Sequence, residues 1–262
     1  MLKIELIQGD CLEKMKDIPD GSVDMILCDL PYGTTACKWD MVIPFDKLWE
    51  QYKKIIKPNG CIALFGSEPF SSHLRLSNLN WFKYDWVWKK NRHSNFLTAK
   101  YEPRRIYEHI HIFSEKKTTY NPLMIELSED TKKRNNRTRN LRSDPKGGQY
   151  EGIKNATNTK NQTKGLPINI IEFKLEQNNQ FKKQVFHPTQ KPVKLLEYLI
   201  TTYTNKNELV LDNTMGSGST GLAAVNLGRK FIGIEKEENY YQIAEERIKK
   251  AQEEKSMQLF DL

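Results

Sequence analysis

The stretch ELVLDNTMGSGSTGLAAVNLGRKFIGIE, residues 208–235, decides the fold. Its apolar run over 208–212 predicts a short strand, which leads through a glycine-rich turn into an apolar helix over 219–228. A second apolar strand is predicted over 231–235. Two strands joined by a helix are typical of a parallel β-α-β unit, because parallel strands need a long crossover connection.

The same alternation of strands and helices continues outward through most of the chain. It predicts a doubly wound, mostly parallel α/β sheet. Further strands are predicted over 2–8, 23–28, 61–65, 82–89 and 109–113, and further helices over 12–18, 44–56, 69–77, 193–202 and 239–254. The aromatic strands 82–89 and 109–113 are expected to pair as a hairpin with a long connection and to supply an antiparallel edge.

The glycine-rich turn has the spacing Gly216-x-Gly218-x-x-Gly221 between a strand and a helix. Glycines let the backbone approach a ligand closely, and the helix N-terminus offers N–H groups to a negative group. Glu235 ends the following strand, where its carboxylate can accept both hydroxyls of a ribose. An adenosine-containing cofactor is therefore expected at this turn.

The glycine pattern fits a nicotinamide dinucleotide as well as S-adenosylmethionine. Asp212 stands directly before the turn and favours S-adenosylmethionine, because its carboxylate would repel a pyrophosphate and attract a cationic methionine moiety. Asp10, in Gly9-Asp10-Cys11 at the end of the first strand, is a candidate for the adenine amine of the cofactor. A plain turn acid is an equally consistent interpretation of Asp10.

Asp29-Leu30-Pro31-Tyr32 follows the apolar strand 23–28, in the position where ligands collect on parallel sheets. Pro31 pushes Leu30 into an extended conformation, so the Leu30 carbonyl is expected to point outward beside the Asp29 carboxylate. Two acceptors next to the Tyr32 ring suit a planar ring with an exocyclic amine, such as a nucleobase. The alternative is a strand-ending turn with a packed tyrosine.

Charge and composition bound the class of protein. With 262 residues, the chain is long enough for one large α/β domain with an inserted module. Lysine and arginine exceed the acids by 41 to 33, and this net charge of +8 favours a polyanionic partner. The segment 131–164 concentrates that charge and is too polar to build a core, so it is either a phosphate-binding surface or a solvated loop.

The cysteines and the hydropathy exclude other classes. Four cysteines stand singly without Cys-x-x-Cys spacing, which predicts neither a metal site nor a disulfide framework and fits a reducing cytosol. The N-terminus has no signal-peptide core, and no apolar stretch reaches the roughly eighteen residues of a membrane span. A cytoplasmic protein without a membrane partner is expected.

Taken together, these motifs resemble those of the DNA amino-methyltransferases of the circularly permuted kind, in which the catalytic tetrapeptide precedes the cofactor turn. The matching segments are Asp29-Leu30-Pro31-Tyr32-Gly33, Trp88-Lys89-Lys90-Asn91, His187-Pro188-Thr189-Gln190-Lys191-Pro192, residues 211–221 and Gly233-Ile234-Glu235. The usual tetrapeptide is Asp-Pro-Pro-Tyr, so Leu30 departs from it while Pro31 is kept. An acid at position 29 resembles the adenine-specific enzymes more than the cytosine-specific ones.

The resemblance implies methylation of the exocyclic amine of adenine in specific DNA sequences. The base would be rotated out of the duplex onto Tyr32, as enzymes acting on bases generally require. Asp29, Leu30, Pro31 and Tyr32 form the expected catalytic set. The expected S-adenosylmethionine site comprises Asp10, Cys11, Thr189, Lys191, Asp212, Asn213, Gly216, Ser217, Gly218, Ser219, Thr220 and Glu235, with Thr189 and Lys191 approaching the methionine end.

The resemblance also implies a domain organisation and partners. Residues 1–115 would form the catalytic half, 116–184 a basic target-recognition insertion and 185–262 the cofactor half. The residues expected to contact double-stranded DNA are Lys132, Lys133, Arg134, Arg137, Arg139 and Arg142. A homodimer and a cognate restriction endonuclease are further expectations, and the tail 258–262 faintly resembles peptides that bind sliding clamps, with a frayed terminus as the alternative.

Three other functions remain open at this point. A methyltransferase that acts on RNA, or on the amine of cytosine, would use a similar site. A catalytically silent DNA-binding protein could retain the fold. A nicotinamide-dependent oxidoreductase would use the glycine turn but leaves the tetrapeptide and the basic segment unexplained.

Overall fold

The computed structural model describes residues 3–33, 41–136, 162–175 and 190–260, with side chains described as far as residue 133 in the second range and residue 257 in the last. The chain divides into two compact units. The larger comprises Met1–Asn121 with Asn169–Leu262, and the smaller comprises Pro122–Ile168. The smaller unit falls within the predicted insertion 116–184.

The secondary structure follows the predicted alternation. The strands in the described ranges are β1 (Ile4–Gln8), β2 (Val23–Cys28), β3 (Ile56–Gly66), β4 (Phe82–Lys89), β5 (Tyr107–Phe113), β6 (Ile125–Glu126), β7 (Lys164–Gly165), β8 (Ile170–Glu172), β9 (Leu209–Asp212) and β10 (Lys230–Glu235). The α-helices there are α1 (Cys11–Lys14), α2 (Phe45–Ile55), α3 (Phe70–Ser77), α4 (Glu129–Asn136), α5 (Val193–Tyr203), α6 (Ser219–Leu227) and α7 (Glu238–Phe260).

The main sheet of the larger unit, as far as it is described, has the strand order β1-β10-β9-β2-β3-β5-β4-β8. Its neighbouring strands run parallel except around β5, which is antiparallel to both β3 and β4. This arrangement confirms the prediction of a doubly wound, mostly parallel sheet. The expected antiparallel edge is a single reversed strand, and the edge itself is β8, which pairs parallel with β4.

Helices cover both faces of the sheet because its central strands are apolar on both sides. In β2, Met25 and Leu27 point into one core with α5, α6 and α7, whereas Ile26 and Cys28 point into the other. Helix α2 supplies a matching apolar stripe, which consists of Leu48, Trp49, Tyr52 and Ile55. Asp29 therefore emerges from a strand that is fixed on both faces.

Some predicted boundaries differ from the structure. The helix predicted over 12–18 is the single turn α1 followed by a 3₁₀ turn over Met15–Asp17. Pro58-Asn59-Gly60, which separates the predicted helix 44–56 from the predicted strand 61–65, lies inside β3, where the pairing with β2 shifts register between Val23 and Met25. The structure accommodates this turn signal as an irregularity in the sheet.

The smaller unit has its own pairing of β6 with β7, in which Ile125 lies opposite Gly165. Helix α4 lies in the same unit and carries acids in its first turn. In the described part of the chain, no helix has the length and apolar character needed to cross a membrane.

Candidate active site

Strands β2 and β9 bring the tetrapeptide and the glycine turn together. The two strands are parallel neighbours, with Ile26 opposite Leu211, so the residues that follow them leave the same edge of the sheet. The Thr214 hydroxyl donates to the Asp29 carbonyl at 3.1 Å. The Cys28 thiol donates to Asn213 Oδ1 at 2.8 Å. Two motifs that are about 180 residues apart in the sequence are thus joined directly.

A cavity of about 630 Å³ opens at this edge, a volume typical of small-molecule sites. The predicted site residues that line it are Asp10, Cys11, Asp29, Leu30, Pro31, Tyr32, Lys191, Asn213 and Glu235. A smaller cavity of about 70 Å³ shares Asp29 and Lys191 with it and is also lined by Asp212, Ser217, Ser219 and Thr220. The structure therefore gathers most of the predicted residues around two adjoining spaces.

Both carboxylate oxygens of Asp29 have donors. The Tyr32 hydroxyl donates to Oδ1 at 2.7 Å, and the Lys191 ammonium donates to Oδ2 at 2.5 Å. Lys191, expected near the methionine end of the cofactor, contacts Asp29 and also lines the smaller cavity with Asp212, so its role towards the cofactor stays a prediction. Each carboxylate oxygen can accept a further hydrogen bond, so Asp29 is oriented without being saturated.

Lys191 belongs to a chain of alternating charges on the cavity wall. Its ammonium lies 3.4 Å from Glu108 Oε2, while the Lys90 ammonium donates to Glu108 Oε1 at 2.8 Å. The four side chains, Asp29, Lys191, Glu108 and Lys90, are two cations and two carboxylates, so their formal charges cancel. Glu108 is a functional candidate that the sequence had not indicated, and Lys90 lies in the matching segment Trp88-Lys89-Lys90-Asn91 but had been given no role.

The pKa values within this network follow from burial and charge. Burial raises the pKa of Asp29 and outweighs the opposing effect of Lys191. Burial lowers the pKa of Lys191, but Asp29 and Glu108 reverse that effect and the net shift is upward. For Glu108, burial is outweighed by Lys191 and Lys90, which lower its pKa. Lys191 thus stays charged and opposes protonation of Asp29.

The rest of the tetrapeptide is anchored by apolar packing. The Leu30 side chain is buried in the core formed with α1 and α2, which explains why a larger residue than proline is accommodated at this position. The Tyr32 ring stacks on Phe70 with centroids 4.8 Å apart. Tyr32 therefore has a packing partner in addition to its bond to Asp29.

The glycine turn is bound to the end of β10. The Gly216 amide donates to Glu235 Oε2 at 2.8 Å, and the Glu237 amide donates to Oε1 at 2.8 Å. Burial raises the pKa of Glu235. The carboxylate predicted to hold a ribose thus also fixes the turn that would contact the same cofactor.

Helix α7 packs against the glycine turn from the other side. A Cβ on Gly218 would lie 2.9 Å from the Ala244 Cβ, and one on Gly221 would lie 2.3 Å from Ile248 Cδ1. The Arg247 guanidinium donates to the Ser217 carbonyl. Gly218 and Gly221 are therefore required for close packing, as well as for any approach of a ligand to the backbone.

Asp212 and its neighbours form a buried polar group beside the smaller cavity. Burial raises the pKa of Asp212 to about 7. Its Oδ1 accepts the Thr214 amide at 3.1 Å. The Ser219 hydroxyl and the Asn213 Nδ2 are buried without a hydrogen-bond partner in the described chain, so both can bind a ligand.

Asn213 links the turn to the other core. Tyr52 donates to its Oδ1 at 2.6 Å, alongside Cys28. Burial raises the pKa of the Cys28 thiol well above its ordinary value, so this thiol is a neutral donor and not a nucleophile. Tyr52 lies on the apolar stripe of α2, and its position in the sequence therefore suggested only a core residue.

Asp10 and Cys11 lie at the N-terminus of α1. The Asp10 carboxylate accepts the Leu12 amide at 3.0 Å and caps the helix, and the Lys236 ammonium lies 3.5 Å from it. Burial raises the pKa of Cys11. Both residues line the larger cavity, so the turn interpretation of Asp10 and the ligand interpretation are compatible.

Several predicted residues cannot be placed in the site. Thr189, Arg137, Arg139 and Arg142 lie outside the described residues, as does the side chain of Arg134. Lys132 and Lys133 lie on α4 in the smaller unit, where Lys132 pairs with Glu129 at 2.8 Å. Their roles in DNA binding remain predictions.

Comparison with known proteins decides the class. Residues 23–246 match the family model described as DNA methylase (N6_N4_Mtase). The chain belongs to this DNA methylase family. The prediction of a DNA methyltransferase from its motifs is confirmed.

Relatives of this DNA methylase match along nearly its whole length. Type II methyltransferase M.HinfI of Haemophilus influenzae is 28% identical over 93% of this chain and 68% of its own length. Type II methyltransferase M.HpaI of Haemophilus parainfluenzae is 26% identical over 93% of this chain and 73% of its own.

Solved structures agree with this assignment. The M1.HpyAVI–SAM complex is 27% identical, with a TM-score of 0.59 and coverage of 94% of this chain and 98% of its own. The PvuII cytosine-N4-specific DNA methyltransferase, at 18% identity and a TM-score of 0.62, covers 95% of this chain and 90% of its own. The likeness to the PvuII enzyme supports the fold alone.

Proposed function

We propose that this DNA methylase transfers a methyl group from S-adenosylmethionine to the exocyclic amine of adenine in double-stranded DNA. The observation that carries the proposal is that the two motifs line one cavity. The Thr214 hydroxyl of the glycine turn donates a hydrogen bond to the Asp29 backbone carbonyl there. The family match and the SAM complex of the M1.HpyAVI relative support it.

The described residues fit an S-adenosylmethionine molecule. Asp212 and Glu235 provide carboxylates for the cationic methionine end and the ribose, respectively. The unpartnered Ser219 hydroxyl and Asn213 amide provide donors beside them. When bound, the cofactor supplies an electrophilic methyl group on a sulfonium.

Asp29 and the Leu30 carbonyl are the proposed acceptors for the adenine amine. Hydrogen bonds to them favour a tetrahedral nitrogen, whose lone pair is then available to form the N–C bond as the S–C bond breaks. The amine gives up one proton, for which the Asp29 carboxylate is the proposed first acceptor. Lys191 and Tyr32 hold that carboxylate in place, so orientation and placed charge supply much of the rate.

Recognition of DNA is assigned to the basic segment. Lys132 and Lys133, together with Arg134, Arg137, Arg139 and Arg142, are the proposed phosphate contacts. Charge reversal at Arg137 and Arg139 is expected to weaken DNA binding and to flatten its dependence on salt, because fewer counterions are released. Unchanged affinity and salt slope would identify the segment as a solvated loop.

The remaining partners are proposals from the sequence. They are a second copy of this chain, a cognate restriction endonuclease and a sliding clamp bound by the tail 258–262. A cytoplasmic location is proposed as well. The side chains of the tail lie outside the described residues.

One assay separates the candidate functions. The protein is incubated with DNA and S-adenosylmethionine carrying a labelled methyl group, and the digested nucleosides are identified by mass. Labelled N6-methyladenine is the expected product. Labelled N4-methylcytosine would establish the cytosine alternative, and unlabelled DNA would favour the catalytically silent DNA-binding protein.

Asp29→Ala tests the catalytic role within the same assay. Transfer is expected to be abolished while S-adenosylmethionine binding, measured by calorimetry, is largely retained. Asp85→Ala, which removes a carboxylate that faces Arg75 and His109, is the matched control and should leave transfer intact. Equal loss of transfer and cofactor binding in Asp29→Ala would assign Asp29 to cofactor binding or folding.

A further inference from the structure

The connection between β4 and β5, residues 90–106, displays three large apolar side chains to solvent. Phe96 is 72% exposed, Leu97 is 81% exposed and Tyr101 is 90% exposed. Soluble proteins seldom cluster such residues on the surface without a partner, since each costs free energy in water. We call this connection, residues 90–106, the apolar loop.

Polar side chains of the apolar loop fix its conformation through hydrogen bonds within the loop. Asn95 adopts a left-handed conformation with φ of 51°, and its amide donates to Glu102 at 2.9 Å. The Thr98 hydroxyl also donates to Glu102, at 2.5 Å, and the Arg105 amide donates to Asn95 Oδ1 at 2.7 Å. The exposed side chains are therefore carried on a fixed framework.

The base of the apolar loop adjoins the active-site cavity. Strand β4 ends at Lys89 and β5 begins at Tyr107 on the edge of the sheet where Asp29 emerges. Lys90 and Ser94 both line the larger cavity. The Lys90 amide donates to the Ile106 carbonyl at 2.7 Å and closes the loop at that point.

The charge of the apolar loop complements a polyanion. Arg92, Lys100, Arg104 and Arg105 are all exposed. Glu102 is the single acid in the sequence of this segment, and its carboxylate accepts the bonds from Asn95 and Thr98. A partner with phosphates and flat apolar surfaces fits this combination, and duplex DNA has both.

We propose that the apolar loop is a wedge that enters the duplex beside the target and fills the space left by the extruded base. The proposal rests on the proposed function, because an extruded base is required by chemistry on its amine. Proteins that distort DNA insert apolar side chains between base steps in the same way. Phe96 and Leu97 form the wedge, Tyr101 stacks on an exposed base, and the arginines contact the flanking phosphates.

The test uses the double variant Phe96→Ala/Leu97→Ala in the full chain. Leu76→Ala/Leu79→Ala is the matched control, since these residues are 66% and 59% exposed and lie near the opposite edge of the sheet, before β4 begins. Both variants should keep the thermal midpoint of unfolding and the S-adenosylmethionine affinity of the parent protein, because they remove exposed side chains.

Two readouts isolate extrusion of the base. With 2-aminopurine at the target position of a matched duplex, the wedge variant should lose most of the fluorescence increase seen on binding. Its turnover on the same duplex with adenine at the target should fall by roughly tenfold or more, because the cost of unstacking the target base is no longer offset. On a duplex with a mismatch at the target, where extrusion costs less, its turnover should lie within about threefold of the parent protein.

Other outcomes overturn the wedge. Equal losses on matched and mismatched duplexes would make the loop a general DNA contact, and no loss on either would make it a solvated loop. A changed sedimentation coefficient in the wedge variant alone would assign the apolar residues to a second copy of this chain. If the parent protein methylates neither duplex but still extrudes 2-aminopurine through this loop, the proposed function fails and the wedge stands.

Discussion

The two walls of the active-site cavity are built in different ways. The glycine-turn wall depends on backbone shape, with glycines packed against α7 and an amide bonded to Glu235. The tetrapeptide wall depends on charged side chains from distant parts of the chain, which form a row of contacts from Asp29 through Lys191 and Glu108 to Lys90. Substitutions in the glycine-turn wall should therefore lower the stability of the protein. Substitutions in the tetrapeptide wall should lower its activity while it remains folded.

Lys191→Gln should give the largest effect on the tetrapeptide wall. Removing one partner of a buried ion pair leaves an uncompensated carboxylate, so kcat should fall roughly 100-fold. The pKa of Asp29 should rise further without the ammonium, and the acid limb of the pH–rate profile should move to higher pH. Steady-state kinetics over a pH series measures both effects.

Lys191→Arg is the control for Lys191→Gln. It keeps the charge and should restore the pH profile of the parent protein, even if geometry limits kcat. If Lys191→Gln lowered kcat with no shift of the acid limb, Lys191 would be a packing residue and the electrostatic account of Asp29 would be wrong.

Gly221→Ala, in the glycine-turn wall, should lower the stability of the protein. The new methyl group would overlap Ile248 and Phe231, and such overpacking costs about 1–3 kcal/mol in the free energy of unfolding. Gly216→Ala is the matched control, because Gly216 has open space and only its positive φ of 52° is strained. Urea denaturation should rank Gly221→Ala as the less stable variant, and the reverse order would remove the role assigned to α7.

Tyr32→Phe should have a smaller effect that sharpens the role of the tetrapeptide ring. It keeps the stack on Phe70 and removes the donor to Asp29, so kcat should fall roughly tenfold, as expected for a lost hydrogen bond to a charged group. Tyr32→Ala should lose considerably more, because the ring is also lost. Equal losses in the two variants would limit Tyr32 to holding Asp29 and exclude the stacking of a base.

The smallest expected effect is a pH dependence of S-adenosylmethionine binding at the glycine-turn wall. The free site holds a proton on Asp212 below about pH 7, whereas a bound cationic ligand favours the ionised carboxylate. S-adenosylmethionine binding should therefore release up to about one proton near pH 6 and become tighter as the pH rises to 8. Calorimetry in buffers of different ionisation enthalpy measures the release, and Asp212→Asn should abolish it; persistence in that variant would assign the proton elsewhere.

The contrast between the walls also explains what the sequence predicts. Local patterns predicted the sheet, the glycine turn and the tetrapeptide, because each is a continuous run whose period or turn chemistry is visible. The network around Asp29 has no such pattern. Glu108 sits at the start of β5 like any polar strand residue, and its closeness to Lys191 depends on the packing of β5 beside β3.

Edge strand β8 was missed for a related reason. Residues 170–172 are three residues long and follow a polar, basic segment, so their own propensity gives little signal. Their pairing with β4 is a tertiary effect, which overrides local preference in sheets. Directly after β8, the Phe173 carbonyl accepts a hydrogen bond from the Trp88 indole N–H at 2.9 Å.

The strand order carries a consequence for synthesis of the protein. Strands β9 and β10 are translated after β1 and β2 but lie between them in the sheet. A nascent chain that has emerged only through β5 leaves β1 without its neighbour β10 and one edge of β2 uncovered, so the central contacts of the sheet form only after β9 and β10 have been made. A ribosome that stalls before β9 therefore releases a chain without the glycine turn, in which Asp29 has no Thr214 to join it and no partial enzyme results.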